Sequence, residues 1–85
     1  MSPAKINWEA VAAARLHPLQ VQILGMISTG PNSAGKMHRP LEERLNNVAY
    51  HVRALRDMGL IEVVDTKRRR GAVESFYALR PQVKA

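Results

Sequence analysis

Leu45 to Ile61, LNNVAYHVRALRDMGLI, is the stretch around which the rest of the sequence falls into order. Leu45, Val48, Val52 and Leu55 recur at three- and four-residue steps, which places them in one apolar stripe on an α-helix. At about 100° per residue, Asn46, Tyr50, Arg53 and Asp57 point away from that stripe, with Asn47 and Ala54 at its flank. Asn46 is a good N-cap, so the helix is expected to begin there with the positive end of its dipole facing outward. Gly59 supplies the stop, and the apolar run Leu60 to Val64 follows at once.

The outward residues are the informative ones. Asn pairs bidentately with an adenine edge, and Arg holds guanine or a phosphate. Two amides and a phenol in the first two turns, followed by arginines, therefore suit a helix that reads duplex DNA. A polar N-terminal half, a glycine stop and an immediate strand also fit the core of a winged helix. An ordinary amphipathic surface helix would carry the same pattern, and this stretch alone does not separate the two.

Charge points the same way. Thirteen Lys and Arg against seven Asp and Glu give a formal charge of +6 in 85 residues, with a pI near 10.6. A small domain that basic suggests an anionic partner, nucleic acid before anionic membrane. Hydrophobic content of 46% argues for a folded chain, and the length suits one domain spanning 1–85. No cysteine is present, which removes disulfides and thiolate metal sites. The start, MSPAKINWEA, lacks the charged-then-apolar pattern of a signal peptide, and no apolar run approaches the ~20 residues of a membrane span. A cytoplasmic, nucleoid-associated protein is expected.

Residues 1–7 read as a frayed leader. Trp8 to Leu16 is Ala-rich and reads as a helix, capped by Asn7, with Trp8, Val11, Ala12 and Leu16 on one face. His17-Pro18 breaks the chain and opens a second helix, whose apolar residues on most sides imply a central, buried position. Gly30-Pro31 ends it. A short helix from Ser33, ending before Pro40, would turn Ala34 and Met37 inward, although a loop or a backward extension of the Leu45 helix through LEER stays open. Leu60 to Thr66 reads as a strand, Lys67 to Gly71 (KRRRG) as a basic turn, and Val73 to Leu79 as a second strand. Residues 80–85 form a tail. The expected architecture is α+β, mostly α: three to four helices plus a two-stranded hairpin wing.

Three segments, HPLQVQIL (17–24), NNVAYHVRALRDMGLIEV (46–63) and RGAVESFYAL (70–79), resemble the ArsR-type winged-helix regulators, within the MarR/ArsR-like group of bacteria and their phages. The resemblance covers nearly the whole chain. It implies a transcriptional regulator whose second helix of the helix-turn-helix lies in the major groove, with the wing on phosphates or in the minor groove. The chain departs from the group in three ways. It has no Cys and only scattered His17, His38 and His51, so metal sensing is not expected. It stops soon after the wing, where many members carry a dimer-forming helix. Pro40 also disturbs the usual helix-turn spacing. A homodimer would then use the Trp8–Leu16 helix, and whether one forms stays open.

On this reading Asn46, Asn47 and Tyr50 meet base edges, Arg44 and Arg53 flank them on phosphates, and Lys67, Arg68, Arg69 and Arg70 anchor the wing. Four wing contacts would give a salt slope of about −3 to −4, at about −0.9 per neutralised phosphate. A winged-helix protein-interaction module, docking on another regulator or on polymerase, is the alternative, and recognition of RNA or unusual duplex shape is a further one. Gly30 to Met37, GPNSAGKM, nearly spells a phosphate-binding loop, yet Met37 replaces the hydroxyl and the preceding element reads as a helix. Lys36 is expected near the DNA backbone or in water. His17 is expected to cap or pack, and His51 to be a hydrogen-bonded core histidine. No catalytic constellation stands out, so neither enzyme activity, a cofactor nor a metal is expected.

Overall fold

A computed structural model of the chain describes Glu9 and residues 15–81. The leader, the tail beyond Pro81 and nearly all of the expected Trp8–Leu16 helix lie outside the described residues. The described elements are α1 (Pro18–Ile27), α2 (Ala34–Met37), α3 (Leu45–Asp57), β1 (Ile61–Arg69) and β2 (Ala72–Leu79). Three helices followed by an antiparallel hairpin make a winged helix-turn-helix of the α+β class.

Local chemistry fixes where each helix begins. Pro18 opens α1 with its φ already set. His17 caps it: Nδ1 accepts from the Leu19 amide at 3.0 Å, while Gln20 Oε1 accepts from the His17 amide at 3.0 Å. Ser33 caps α2, its Oγ accepting from the Lys36 amide at 3.2 Å. Pro40 has no amide to continue that helix, and the chain turns through residues 38–42 with Glu42 at φ 56°. Residues 41–44 are therefore turn, as preferred from sequence, and LEER does not extend α3.

The start of α3 differs from the expectation. Arg44, not Asn46, is its N-cap, and no side chain closes that end. Asn46 sits inside the first turn, so its amide projects from the helix instead of folding back on the backbone. At the other end, Met58 caps and Gly59 takes φ 77°. The Gly59 amide donates to the Arg56 carbonyl at 2.9 Å and the Leu60 amide to the Leu55 carbonyl at 3.1 Å, a Schellman stop. That geometry needs a residue without Cβ strain, which explains Gly59.

One core joins the described elements. Leu19, Ile23, Leu24 and Ile27 of α1 meet Met37 of α2, Val48, Val52 and Leu55 of α3, and Ile61 and Tyr77 of the hairpin. Alpha1 is central, as its apolar content implied. Leu45, expected in the apolar stripe, is half exposed at the first turn and lies outside the core cluster.

The hairpin also corrects the expectation. Beta1 runs through Lys67, Arg68 and Arg69, so only Arg70-Gly71 forms the turn instead of the whole KRRRG run. Both turn residues have positive φ, 47° and 82°, the backbone of a type I′ turn. The register shifts by one residue between Val63 and Asp65, a bulge at Val64 that adds twist halfway along the wing. On its other edge β2 is bridged by Asn32, whose amide and carbonyl both pair with Tyr77, at 3.0 and 2.8 Å.

Candidate nucleic-acid interface

The buried side of α3 leaves its opposite face free for chemistry. Val48, His51, Val52 and Leu55 are buried, and Asn46, Asn47, Tyr50 and Arg53 are exposed, with Tyr50 at 62%. Arg44 is exposed at the uncapped N-terminus, where first-turn amides and the helix dipole favour an anion.

Alpha3 and the wing face one another across an open groove with a volume of about 760 Å³. Of the residues expected at the interface, Asn46, Arg53 and Arg69 line this groove together. Asn47 and Tyr50 lie on the exposed side of α3 away from it, and Lys67, Arg68 and Arg70 are exposed along the hairpin outside it. The surface thus has two connected parts: a helix face and a cation-lined cleft leading to the wing.

Several expected side chains already have partners. Asn47 Nδ2 donates to Glu43 Oε2 at 2.9 Å, one turn back, which fixes the amide and leaves its carbonyl oxygen open. Arg69 Nε lies 2.8 Å from Glu74 Oε1, an ion pair without the alignment of a good hydrogen bond. Lys67 and Lys36 both place their ammonium groups 5.2 Å from the centre of the Phe76 ring. Phe76 is buried, while both lysines remain exposed. Lys36, set aside from sequence as solvated or near DNA, lines the groove.

Sequence reasoning missed Arg56 and Glu74 at this site. Arg56 follows Asn46, Ala49 and Arg53 at helical spacing, a second stripe that was there to be read. It pairs with neighbouring Asp57 at 3.2 Å, an exposed contact of little energetic weight. Nothing in the sequence marked Glu74.

The histidines serve the scaffold. His17 caps α1, and its ring lies 4.6 Å from that of His51. His51 is buried, but its Nδ1 has no hydrogen-bond partner, contrary to the expectation of a hydrogen-bonded core histidine. Burial, and then the neighbouring His17, lower its pKa, with Glu43 acting weakly in the other direction.

Comparison with known proteins agrees with this geometry. The family profile described as "Helix-turn-helix domain" matches residues 16–64, from the cap of α1 into β1. Among solved structures, the transcriptional regulator HlyU from Vibrio vulnificus CMCP6 superposes with a TM-score of 0.64 at 22% identity, over 85% of this chain and 70% of that one. No curated protein matches the chain. The chain belongs to the helix-turn-helix domain family, in its ArsR-type form.

Proposed function

We propose that the chain is a sequence-specific double-stranded DNA-binding transcriptional regulator, with α3 in the major groove and the basic hairpin on the backbone. The observation that carries this is the placement of Asn46 and Arg53 opposite Arg69 across one cleft, beside the exposed Tyr50 and Asn47. Base-reading amides on a helix and cations on an adjacent hairpin are the two components of specific duplex binding. Membership of the helix-turn-helix family and the fold shared with a transcriptional regulator support it.

In finer detail, Asn46, Asn47 and Tyr50 read base edges, while Arg44 and Arg53 hold the flanking phosphates. Lys67, Arg68, Arg69 and Arg70 contact the backbone along the wing. Two copies on a pseudo-palindrome, joined through the Trp8–Leu16 segment, give the symmetric arrangement common to such regulators. No helix among the described residues is long and apolar enough to cross a membrane. The cytoplasm, on the nucleoid, is the proposed location.

Exposed Met58, Val63 and Val64 favour a second reading, docking on another protein, since apolar groups beside the wing root suit a partner surface. Selection from a random duplex pool, at two salt concentrations, separates the two. An enriched motif supports the regulator. Absence of duplex binding at low salt supports the docking module.

A further inference from the structure

Ser33 and Glu74 are 41 positions apart in sequence, yet Ser33 Oγ donates to Glu74 Oε2 at 2.6 Å. Ser33 is 1% exposed, and the same oxygen accepts from the Lys36 amide to cap α2. One hydroxyl therefore closes a helix and ties it to the wing. Gly35 leaves the room this requires: a Cβ there would lie 3.0 Å from Glu74 Oε2. The second carboxylate oxygen faces Arg69 at 2.8 Å. The Ser33 hydrogen bond, helped to a lesser degree by the charge of Arg69, holds the Glu74 carboxyl below its ordinary range against the opposing effect of burial. Ser33, Gly35, Glu74 and Arg69 line the same cleft as Asn46 and Arg53.

We propose that Glu74 is a positioning residue for DNA binding, docking β2 on α2 through Ser33 and aiming the Arg69 guanidinium into the cleft beside α3. The proposal rests on the DNA-binding reading above and adds to it a role for an acidic residue. A carboxylate that merely sat near the duplex would repel phosphate, and its neutralisation would tighten binding. A carboxylate that holds Arg69 in place gives the opposite sign. Arg69 then contributes through the position in which the ion pair holds it, and not through its charge alone.

The test is duplex affinity and its salt dependence for the full chain, with thermal unfolding to verify folding. Glu74→Gln keeps the size and a hydrogen-bond acceptor for Ser33 but loses the pairing with Arg69. It is expected to weaken specific binding about tenfold, although it raises the net charge. Arg69→Ala is expected to lose a similar factor, and the double variant to bind no worse than Arg69→Ala alone. Arg69→Lys, at an exposed side chain, keeps the charge and is expected to weaken binding severalfold, so the proposal stays testable if Glu74→Gln does not fold. Unchanged or tighter binding by Glu74→Gln, full affinity in Arg69→Lys, or additive losses in the double variant would overturn the role. Wild-type protein that binds no duplex would overturn the DNA reading itself, and the role with it. That failure shows in the wild type before any variant is compared.

Discussion

Glu43 stands just outside α3 and accepts a 2.9 Å hydrogen bond from Asn47 Nδ2, one turn into the helix. The two residues place a carboxylate next to the positive end of the helix dipole and orient an amide on the exposed face of α3 proposed to read bases. Orientation matters more for an amide than for a charge, because a bidentate contact tolerates little rotation. Asn47→Ala should therefore relax base preference at one position, by about 1–3 kcal/mol of discrimination. Glu43→Gln should blur the same position less, since Gln can still accept from Asn47. Binding-site selection with each variant checks this, and an unchanged motif for Asn47→Ala would mean that the reading face is assigned to the wrong side of α3.

The wing should act differently. Arg68 and Arg70 are exposed along the hairpin and have no ion-pair partner among the described residues. Arg68→Ala and Arg70→Ala should each weaken all duplexes about equally and reduce the salt slope by about 0.9. Titrations at several salt concentrations measure this. A loss confined to one sequence would mean base contact by the hairpin instead.

Arg70 also carries a cost within the protein. Its φ of 47° lies in the left-handed region, where a residue other than Gly, Asn or Asp is disfavoured by roughly 1 kcal/mol. Asn-Gly is the preferred pair for a type I′ turn. Arg70→Asn is thus expected to stabilise the hairpin by several tenths to about 1 kcal/mol while weakening DNA binding. Chemical denaturation compared with the affinity of the same variant would show the two effects moving in opposite directions.

His51 links stability to pH. Burial, then His17, lower its folded pKa below the ordinary 6.5, so the folded protein resists a proton that the unfolded chain accepts. The unfolded state binds more protons between the folded value and 6.5, and stability must rise with pH across that interval. The contribution is fully present above 6.5 and is lost as pH falls through the folded value. Denaturation midpoints should fall below pH 6.5, and His51→Leu should flatten that dependence. An equally steep profile in the variant would assign the effect elsewhere.

Much of this was legible in the sequence because it is written in local chemistry. His17-Pro18, Ser33, Pro40 and Gly59 each act within a few residues of their position, and each punctuates the chain where expected. The stripe of Val48, Val52 and Leu55 likewise faces the core. Readings failed where two local signals competed or where the partner was distant. Asn46 has the better capping side chain, but the chain turns early enough for Arg44 to take the position. The basic run reads as a loop by composition, yet a two-residue turn at Arg70-Gly71 satisfies the hairpin and leaves Lys67 to Arg69 in the strand. The pairing of Ser33 with Glu74 had no sequence signal at all, since it depends on where the wing lands.

Backbone amide shifts of the labelled protein, followed as duplex DNA is added, test the central claim most directly. The account predicts the largest changes at residues 44–53 and 67–71, with smaller ones at Ser33 and Glu74, and little change along the buried face of α1. Changes centred on Met58, Val63 and Val64, or none at low salt, would contradict it.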